Sequence, residues 1–426
     1  MLDRSKAPDI QEIEAISLQT AEVTELQNGA RLHIIKSETQ PVVRLDFVFK
    51  AGKWFEPHNG ISDLAAKMLL EGSANYTASQ IAEKVAYYGA SFDSNHGYDR
   101  SEFTLYCLSK YLTDLLPLVL DVLQNPVFPE EEFKLLRKRI SQNVKVQRQK
   151  NGYLATNSFT KLIYGEGHPY IFGYDGPEIE HIELIQLQDY YKNKFSTKEL
   201  EIFACGSLDA EAQLYLKREI EQLILNAPNV AGTNNFENLP AQAEAFVNMP
   251  ESLQSSIRVG KRFPHIQDEE YLKLLVLNEV LGGYFGSRLM RNIREDKGFT
   301  YGIYSAVSPK EHDTLFYIGT DVNYAVTDQT LHEIKKEIQI LQQEAIPADE
   351  LQTVKSYMIG KFINDLATIF EQCDRYKRIV LNNLPADYYN NYISSIKTVS
   401  AADLLALANK HLSLDDLKIA IAGKRA

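Results

Sequence analysis

Zinc and acid–base chemistry need histidines, carboxylates or thiols held close together, so their spacing comes first. The chain has nine histidines, and no two lie three to five residues apart. No helix turn therefore carries a histidine pair fit for a metal. Asp63 and Lys67 do stand at i and i+4, with Ala66 just before the lysine. Alanine has no ligand atom and no proton to trade, while protonated lysine has no lone pair and repels a dication. The expected role of Asp63 and Lys67 is a surface ion pair worth about 0.2–0.5 kcal/mol. Arg294 and Tyr301 lie seven residues apart (301 − 294 = 7). On spacing alone they read as a solvated arginine at a charged helix end and an amphipathic residue opening a strand. Cys107, Cys205 and Cys373 are odd in number and widely scattered, the pattern of buried, reduced thiols and not of a disulfide framework.

The elements that position these residues follow from patterning. Residues 59–73 read as a helix, with Ser62 as N-cap, Asp63 in the positive first turn and Gly72 as a left-handed stop. A β-like run at 42–49 precedes it. A second helix follows, with a Thr77/Gln80 capping box and Gly89 as its stop. Strands are expected at 30–35, 90–94 and 101–109, the last with Phe103, Leu105 and Cys107 alternating. Helices are expected at 112–123, 130–150, 154–164, 184–194 and 210–225, with a strand at 200–205 between the last two.

Residues 226–243, rich in Pro, Gly and Asn at their start, mark a linker. Beyond it the plan repeats. A strand at 254–259 matches 42–49, helices follow at 268–292, and a strand at 314–320 matches 101–109. The helix at 326–343 matches 112–123. Ile346-Pro347-Ala348-Asp349-Glu350-Leu351 echoes Phe128-Pro129-Glu130-Glu131-Glu132-Phe133, each opening a long helix, and a strand at 417–422 echoes 200–205. The fold class is α+β: two homologous halves, each a mainly antiparallel sheet covered by helices, facing each other across a cavity. The expected domains are an arm (1–27), a first half (28–225), the linker (226–243) and a second half (244–426).

The 59–73 helix, set after a strand and followed by Met68-Leu69-Leu70-Glu71-Gly72-Ser73, resembles the inverted zinc-peptidase family of insulinase, pitrilysin and the mitochondrial processing peptidases. In active members that helix carries H-x-x-E-H, with two zinc-binding histidines and a glutamate as general base. Asp63, Ala66 and Lys67 stand at those positions here. The third ligand of the family is a glutamate on a later long helix. The matching segment, Ile140-Ser141-Gln142-Asn143-Val144, puts Asn143 or Gln142 there. Glu130, Glu131 and Glu132 share that helix at the wrong end, Glu132 lying about 16 Å from Asn143 along the axis. The resemblance thus implies a degenerate zinc motif and no metal in this chain.

In the second half, Leu281-Gly282-Gly283-Tyr284-Phe285-Gly286-Ser287-Arg288-Leu289 followed by Arg294 and Tyr301 resembles the family's second signature. The resemblance implies that Arg294 and Tyr301 bind substrate backbone and stabilise an oxyanion. It gives Gly282, Gly283 and Gly286 a substrate-contacting role, although the same glycines could simply end a helix. Some relatives split the work between two chains, one bearing zinc and the other the Arg/Tyr pair. The implied function is the non-catalytic subunit of a heteromeric zinc endopeptidase, with a homologous zinc-bearing partner and peptide or unfolded protein as substrate. The alternative is a structural or peptide-binding subunit, like the core subunits of the respiratory cytochrome complex. A single-chain peptidase with an unusual site would need the missing ligands.

Composition agrees with a soluble globular protein: 426 residues, 44% hydrophobic and 24% charged. A formal net charge of −12 argues against a nucleic-acid or anionic-membrane surface. No stretch reaches the length of a membrane span, and the first ten residues lack a charged-then-apolar leader pattern. The expected location is cytoplasmic.

Overall fold

The computed structural model describes residues 18–174, 176–225 and 242–424. Two sheets organise them. The first comprises β1 (Glu22–Glu25), β2 (Arg31–Lys36), β3 (Val42–Phe49), β4 (Ser91–His96), β5 (Ser101–Leu108) and β6 (Glu201–Gly206). The second comprises β7 (Glu244–Asn248), β8 (Gln254–Phe263), β9 (Ile303–Pro309), β10 (Thr314–Asn323) and β11 (Lys418–Gly423). Their spatial orders are β1-β2-β6-β3-β5-β4 and β7-β11-β8-β10-β9. With the edge strand β1 set aside, one order maps onto the other strand for strand. Even the parallel pairs correspond, β2 with β6 and β7 with β11, in sheets otherwise antiparallel. The expected duplication of an α+β plan is present.

The helices of the first half are α1 (Ile61–Met68), α2 (Ala78–Tyr87), α3 (Leu112–Gln124), α4 (Glu130–Gln147), α5 (Asn151–Tyr164), α6 (Gly176–His181), α7 (Leu184–Lys194) and α8 (Ala210–Glu221). Those of the second are α9 (Tyr271–Asn278), α10 (Thr327–Gln343), α11 (Ala348–Asn364), α12 (Ile369–Leu381), α13 (Tyr388–Thr398) and α14 (Ala401–His411). The capping box of α2 forms as expected, with Thr77 and Gln80 each bonding the other's backbone N–H. The helices expected at 268–292 are α9 and two π-helical segments, Glu279–Gly283 and Met290–Asp296. Part of the expected arm is strand β1, paired with β2. Residues 1–17 of the arm and 226–241 of the linker lie outside the described residues. Among the described residues no helix is long and apolar enough to cross a membrane.

Strand β6 explains how the halves join. All six of its residues are buried, so both faces of the strand are covered. Ile202 and Ala204 enter the core of their own half. Phe203 and Cys205 point the other way, and pack with Ile35 and Val48 against Ile369, Phe370, Cys373, Tyr376 and Val380 of α12, a helix of the second half. The exchange is reciprocal. Phe159, Leu162, Ile163 and Tyr164 of α5, from the first half, pack on Leu315 and Ala420 of the second sheet. Asn151, at the start of α5, donates to Ser252 Oγ at 2.7 Å and the Gln254 carbonyl at 2.6 Å.

Polar contacts tie α12 down further. Asp46 on β3 is 1% exposed, and meets Lys377 Nζ and Arg44 Nε at 3.1 Å each and the Thr104 hydroxyl at 2.9 Å. Arg44 reaches on to Asp374 at 2.6 Å. His33 is held between the Tyr376 hydroxyl (2.8 Å) and Glu201 (2.9 Å). Near the first-sheet edge, buried Lys310 of the second half sits over the rings of Tyr98, Tyr164 and Tyr170, its ammonium 5.2–5.7 Å from their centroids. Beside it, a cleft of about 270 Å³ lies between the halves, lined by Asp99 and Arg100 from one and Glu311 and Leu381 from the other.

Lys377→Met removes one of the two cations facing buried Asp46. Its expected cost is roughly 3 kcal/mol, the usual price of a broken buried pair. Asp46→Asn in the Lys377→Met background should recover part of that loss. Urea unfolding of both variants checks this; purely additive losses would mean that the two side chains are not coupled.

Candidate functional site

Helix α1 begins where the chain leaves β3 through a short 3₁₀ turn, Lys53–Phe55. Its N-cap is Gly60, at φ +100, and not Ser62 as the sequence suggested. The left-handed backbone there suits glycine, and a Cβ would also fall 2.4 Å from Ile179 Cδ1. Ser62 lies inside the helix, fully buried. The capping group is the Glu56 carboxylate, which accepts from Gly60 N–H and Ser62 N–H at 3.1 Å and from the Ser62 hydroxyl at 2.6 Å. Burial pushes Glu56 up to about 7, against the opposing pull of the Ser62 hydrogen bonds and the Lys53 charge.

The motif positions on α1 fall on different surroundings. Ala66 is fully buried in the first-half core. Lys67 meets Asp63 at 2.8 Å, so the expected pair forms. It is not a surface pair, because Asp63 is only 7% exposed. The charge of Asp63 acts on Tyr174 and on His96. Burial pushes His96 down to about 4, with Asp63 pulling it back up. Neither His96 nor Tyr174 was singled out by sequence, since both come from distant segments and neither belongs to a motif. Asp63 and the Lys67 ammonium thus act on His96 with opposite sign.

The long helix α4 packs against α1, but Asn143 and Gln142 are on its exposed face. The buried side at this level is Ile140, Ser141 and Val144, and the Ser141 hydroxyl donates to Glu180 at 2.7 Å. Neither Asn143 nor Gln142 carries a carboxylate, and the side of α4 that packs inward at this level presents two hydrocarbons and an engaged hydroxyl. Glu130 and Glu131 pair with Lys134 at the far end. Among the described residues, the group of three ligand-capable side chains close enough for a metal is Asp99, Glu311 and His312. Asp99 already accepts from the Tyr170 hydroxyl and the Glu311 N–H, while Glu311 faces Arg100 at 3.1 Å and Lys50 at 3.7 Å. Those cations oppose a dication. The residues at the motif positions do not fit zinc.

The second-half signature sits on the two π-helical segments. Arg294 lies in the second, its side chain 34% exposed and its guanidinium carbon 4.5 Å from the centre of the Phe285 ring. Tyr301 is 97% exposed, and so stands clear of α1 and of the rest of its own chain. The structure does not gather Arg294 and Tyr301 with the motif positions of the first half.

The glycines have an internal explanation. A Cβ on Gly282 would lie 2.6 Å from Ser305 N, one on Gly283 2.3 Å from a Glu279 carboxylate oxygen, and one on Gly286 2.8 Å from the Tyr284 ring. The close neighbour is backbone at Gly282 and a side chain at Gly283 and Gly286. Arg288 is likewise structural, bonded twice to Glu350 at 2.9 and 2.8 Å.

Comparison with known proteins places these features. A family model described as "Insulinase (Peptidase family M16)" matches residues 31–166, and one described as "Peptidase M16 inactive domain" matches residues 181–358. A Bacillus subtilis protein named "Uncharacterized zinc protease YmxG" is 24% identical over 82% of this chain and 85% of its own length. A Helicobacter pylori protein named "Non-peptidase homolog YmxG" is 22% identical over 96% of each chain. The crystal structure of a peptidase M16 inactive domain from Pseudomonas fluorescens shares the fold, with a TM-score of 0.87 at 24% identity over 95% of this chain and 98% of the other.

Two outcomes are expected. The raised Glu56 value means that the folded state holds its proton more tightly, so Glu56 takes stability away as pH rises from about 4.5 to about 7. The loss is up to roughly 3 kcal/mol, and Glu56→Gln should flatten thermal stability across that window; an unchanged pH profile would contradict the assignment. Second, the purified chain should hold no stoichiometric zinc. Elemental analysis finding about one tightly bound zinc per chain would overturn the reading of Asp63, Ala66 and Lys67.

Proposed function

The chain belongs to the insulinase (M16) peptidase family, and we propose that it is a non-catalytic member, one that binds peptide and lends Arg294 and Tyr301 to the zinc site of a homologous partner chain. One observation carries this reading. Tyr301, 97% exposed, presents its hydroxyl away from its own chain, while the motif helix of that chain has no zinc ligands to serve. The name of the Helicobacter pylori relative, a non-peptidase homologue, supports the absence of independent activity.

The chemistry asked of the two residues is modest and well defined. When water attacks a peptide carbonyl, negative charge grows on the carbonyl oxygen. A guanidinium and a phenolic hydroxyl held near that oxygen favour the transition state over the ground state. The partner's zinc would supply the activated water. This chain would supply the donors and part of the wall that holds an extended peptide. The proposed substrates are peptides or unfolded protein segments.

A second reading has one observation in its favour. Arg294 is already accommodated by the Phe285 ring and lies 3.9 Å from Glu295, so it needs no substrate to be satisfied. A structural or peptide-binding subunit without a role in cleavage would look the same.

Tyr301→Phe separates the two. It deletes one exposed hydroxyl, so folding and assembly should be unchanged. Turnover by the complex of this chain with an H-x-x-E-H homologue should fall by roughly 10²-fold or more. Full turnover in an assembled Tyr301→Phe complex would favour the structural reading.

A further inference from the structure

We propose that Phe285 is a positioning residue for Arg294, its ring forming the surface that holds the guanidinium ready for substrate. The inference rests on the reading of Arg294 as a donor to a partner's site. Phe285 is a large apolar side chain left 63% exposed, and burial does not account for it.

The loop around it is built to present it. Tyr284 on one side turns inward, its ring 4.9 Å from that of Tyr357. Gly283 leaves room for the Glu279 carboxylate, and Gly286 leaves room for the Tyr284 ring. Arg291 Nε donates to the Gly286 carbonyl at 2.9 Å, and Ser287, next in the chain, is buried. Every neighbour of Phe285 is thus tethered or packed, while its own ring faces outward beneath Arg294.

Arg294 needs such a support. A long exposed arginine samples many rotamers, and fixing it costs conformational entropy at the moment of use. The carboxylate near it belongs to Glu295, the adjacent residue, itself 47% exposed at 3.9 Å. A pair so exposed constrains little. The flat ring 4.5 Å from the guanidinium carbon matches its planar face and leaves its edge N–H groups free to donate. The three glycines and Phe285 then form one device: the glycines shape the loop, the loop aims the ring, and the ring steadies the cation.

The test uses the assembled complex of this chain with an H-x-x-E-H homologue and a peptide substrate. Phe285→Leu keeps apolar bulk and removes the π face. The expected result is a fall in kcat of roughly 2- to 5-fold with KM little changed. Phe285→Trp should restore kcat. Phe285→Leu should add nothing in an Arg294→Ala background, because the ring acts through that cation. A fall caused only by a damaged loop would persist in that background, and would overturn the proposal. Wild-type kcat in Phe285→Leu with an impaired Arg294→Ala would reject the role of Phe285 and leave the site reading standing. Full activity in Arg294→Ala would reject both.

Discussion

Strands β6 and β11 each have a second face that their own half does not cover, and in each case a helix from the opposite half covers it. The whole architecture depends on that exchange. Without α12, Phe203 and Cys205 would meet water. Without α5, Leu315 and Ala420 would. Neither half therefore completes its own burial, and the pair behaves as one platform despite the duplication. Apolar packing alone would let a helix slide on a sheet. The contacts of Asp46 with Lys377 and of His33 with Tyr376 oppose sliding, since each forms at one register of α12 on the strands below.

This rigidity bears on function because it outlasts the chemistry. Ile61, Leu64, Ala65, Ala66 and Met68 of α1 are fully buried, so the helix is kept by the core whatever its ligand positions carry. The Asp63–Lys67 pair has taken over the ligand positions, with Tyr174 and His96 around it. In the second half the opposite holds. The packed glycines and the Arg288–Glu350 pair are internal, yet the second π-helical segment carries the half-buried Arg294, and Tyr301 just beyond it faces outward. π-helical turns accompany functional sites often. A frame maintained in this way around an exposed hydroxyl and a half-exposed cation is the physical basis for assigning the work to the second half.

Much of this was legible in the chain, and the failures have clear causes. The alternation of Phe103, Leu105 and Cys107, the Thr77/Gln80 box and the order of the repeated elements all depend on near neighbours, and all appear as read. The cap of α1 did not, because the group that performs it, Glu56, lies before the usual window and reaches back over Gly60. Which side chains of α4 are exposed, Gln142 and Asn143 among them, is set by helical phase and packing, which a motif does not give. The glycines of 282–286 look alike whether they admit a substrate or an internal side chain. What the chain could not show is that Ser305, Glu279 and Tyr284 stand close to these glycines. Helices α12, α13 and α14 and strand β7 were not read from the chain: the apolar face of α12 is covered by the first half, and α13 and α14 pack on α9, α10 and α11 of their own half.

The central claim is a division of labour between two homologous chains, and mixing tests it most directly. This chain and an H-x-x-E-H homologue from the same cell are purified separately. Each is then assayed alone and in equal proportion, with size measured alongside cleavage of an unfolded peptide. The account predicts a one-to-one complex, no cleavage by this chain alone, and a large gain in turnover when the two are combined. Chelator-sensitive cleavage by this chain alone, or an H-x-x-E-H homologue whose full activity is indifferent to its addition, would contradict it.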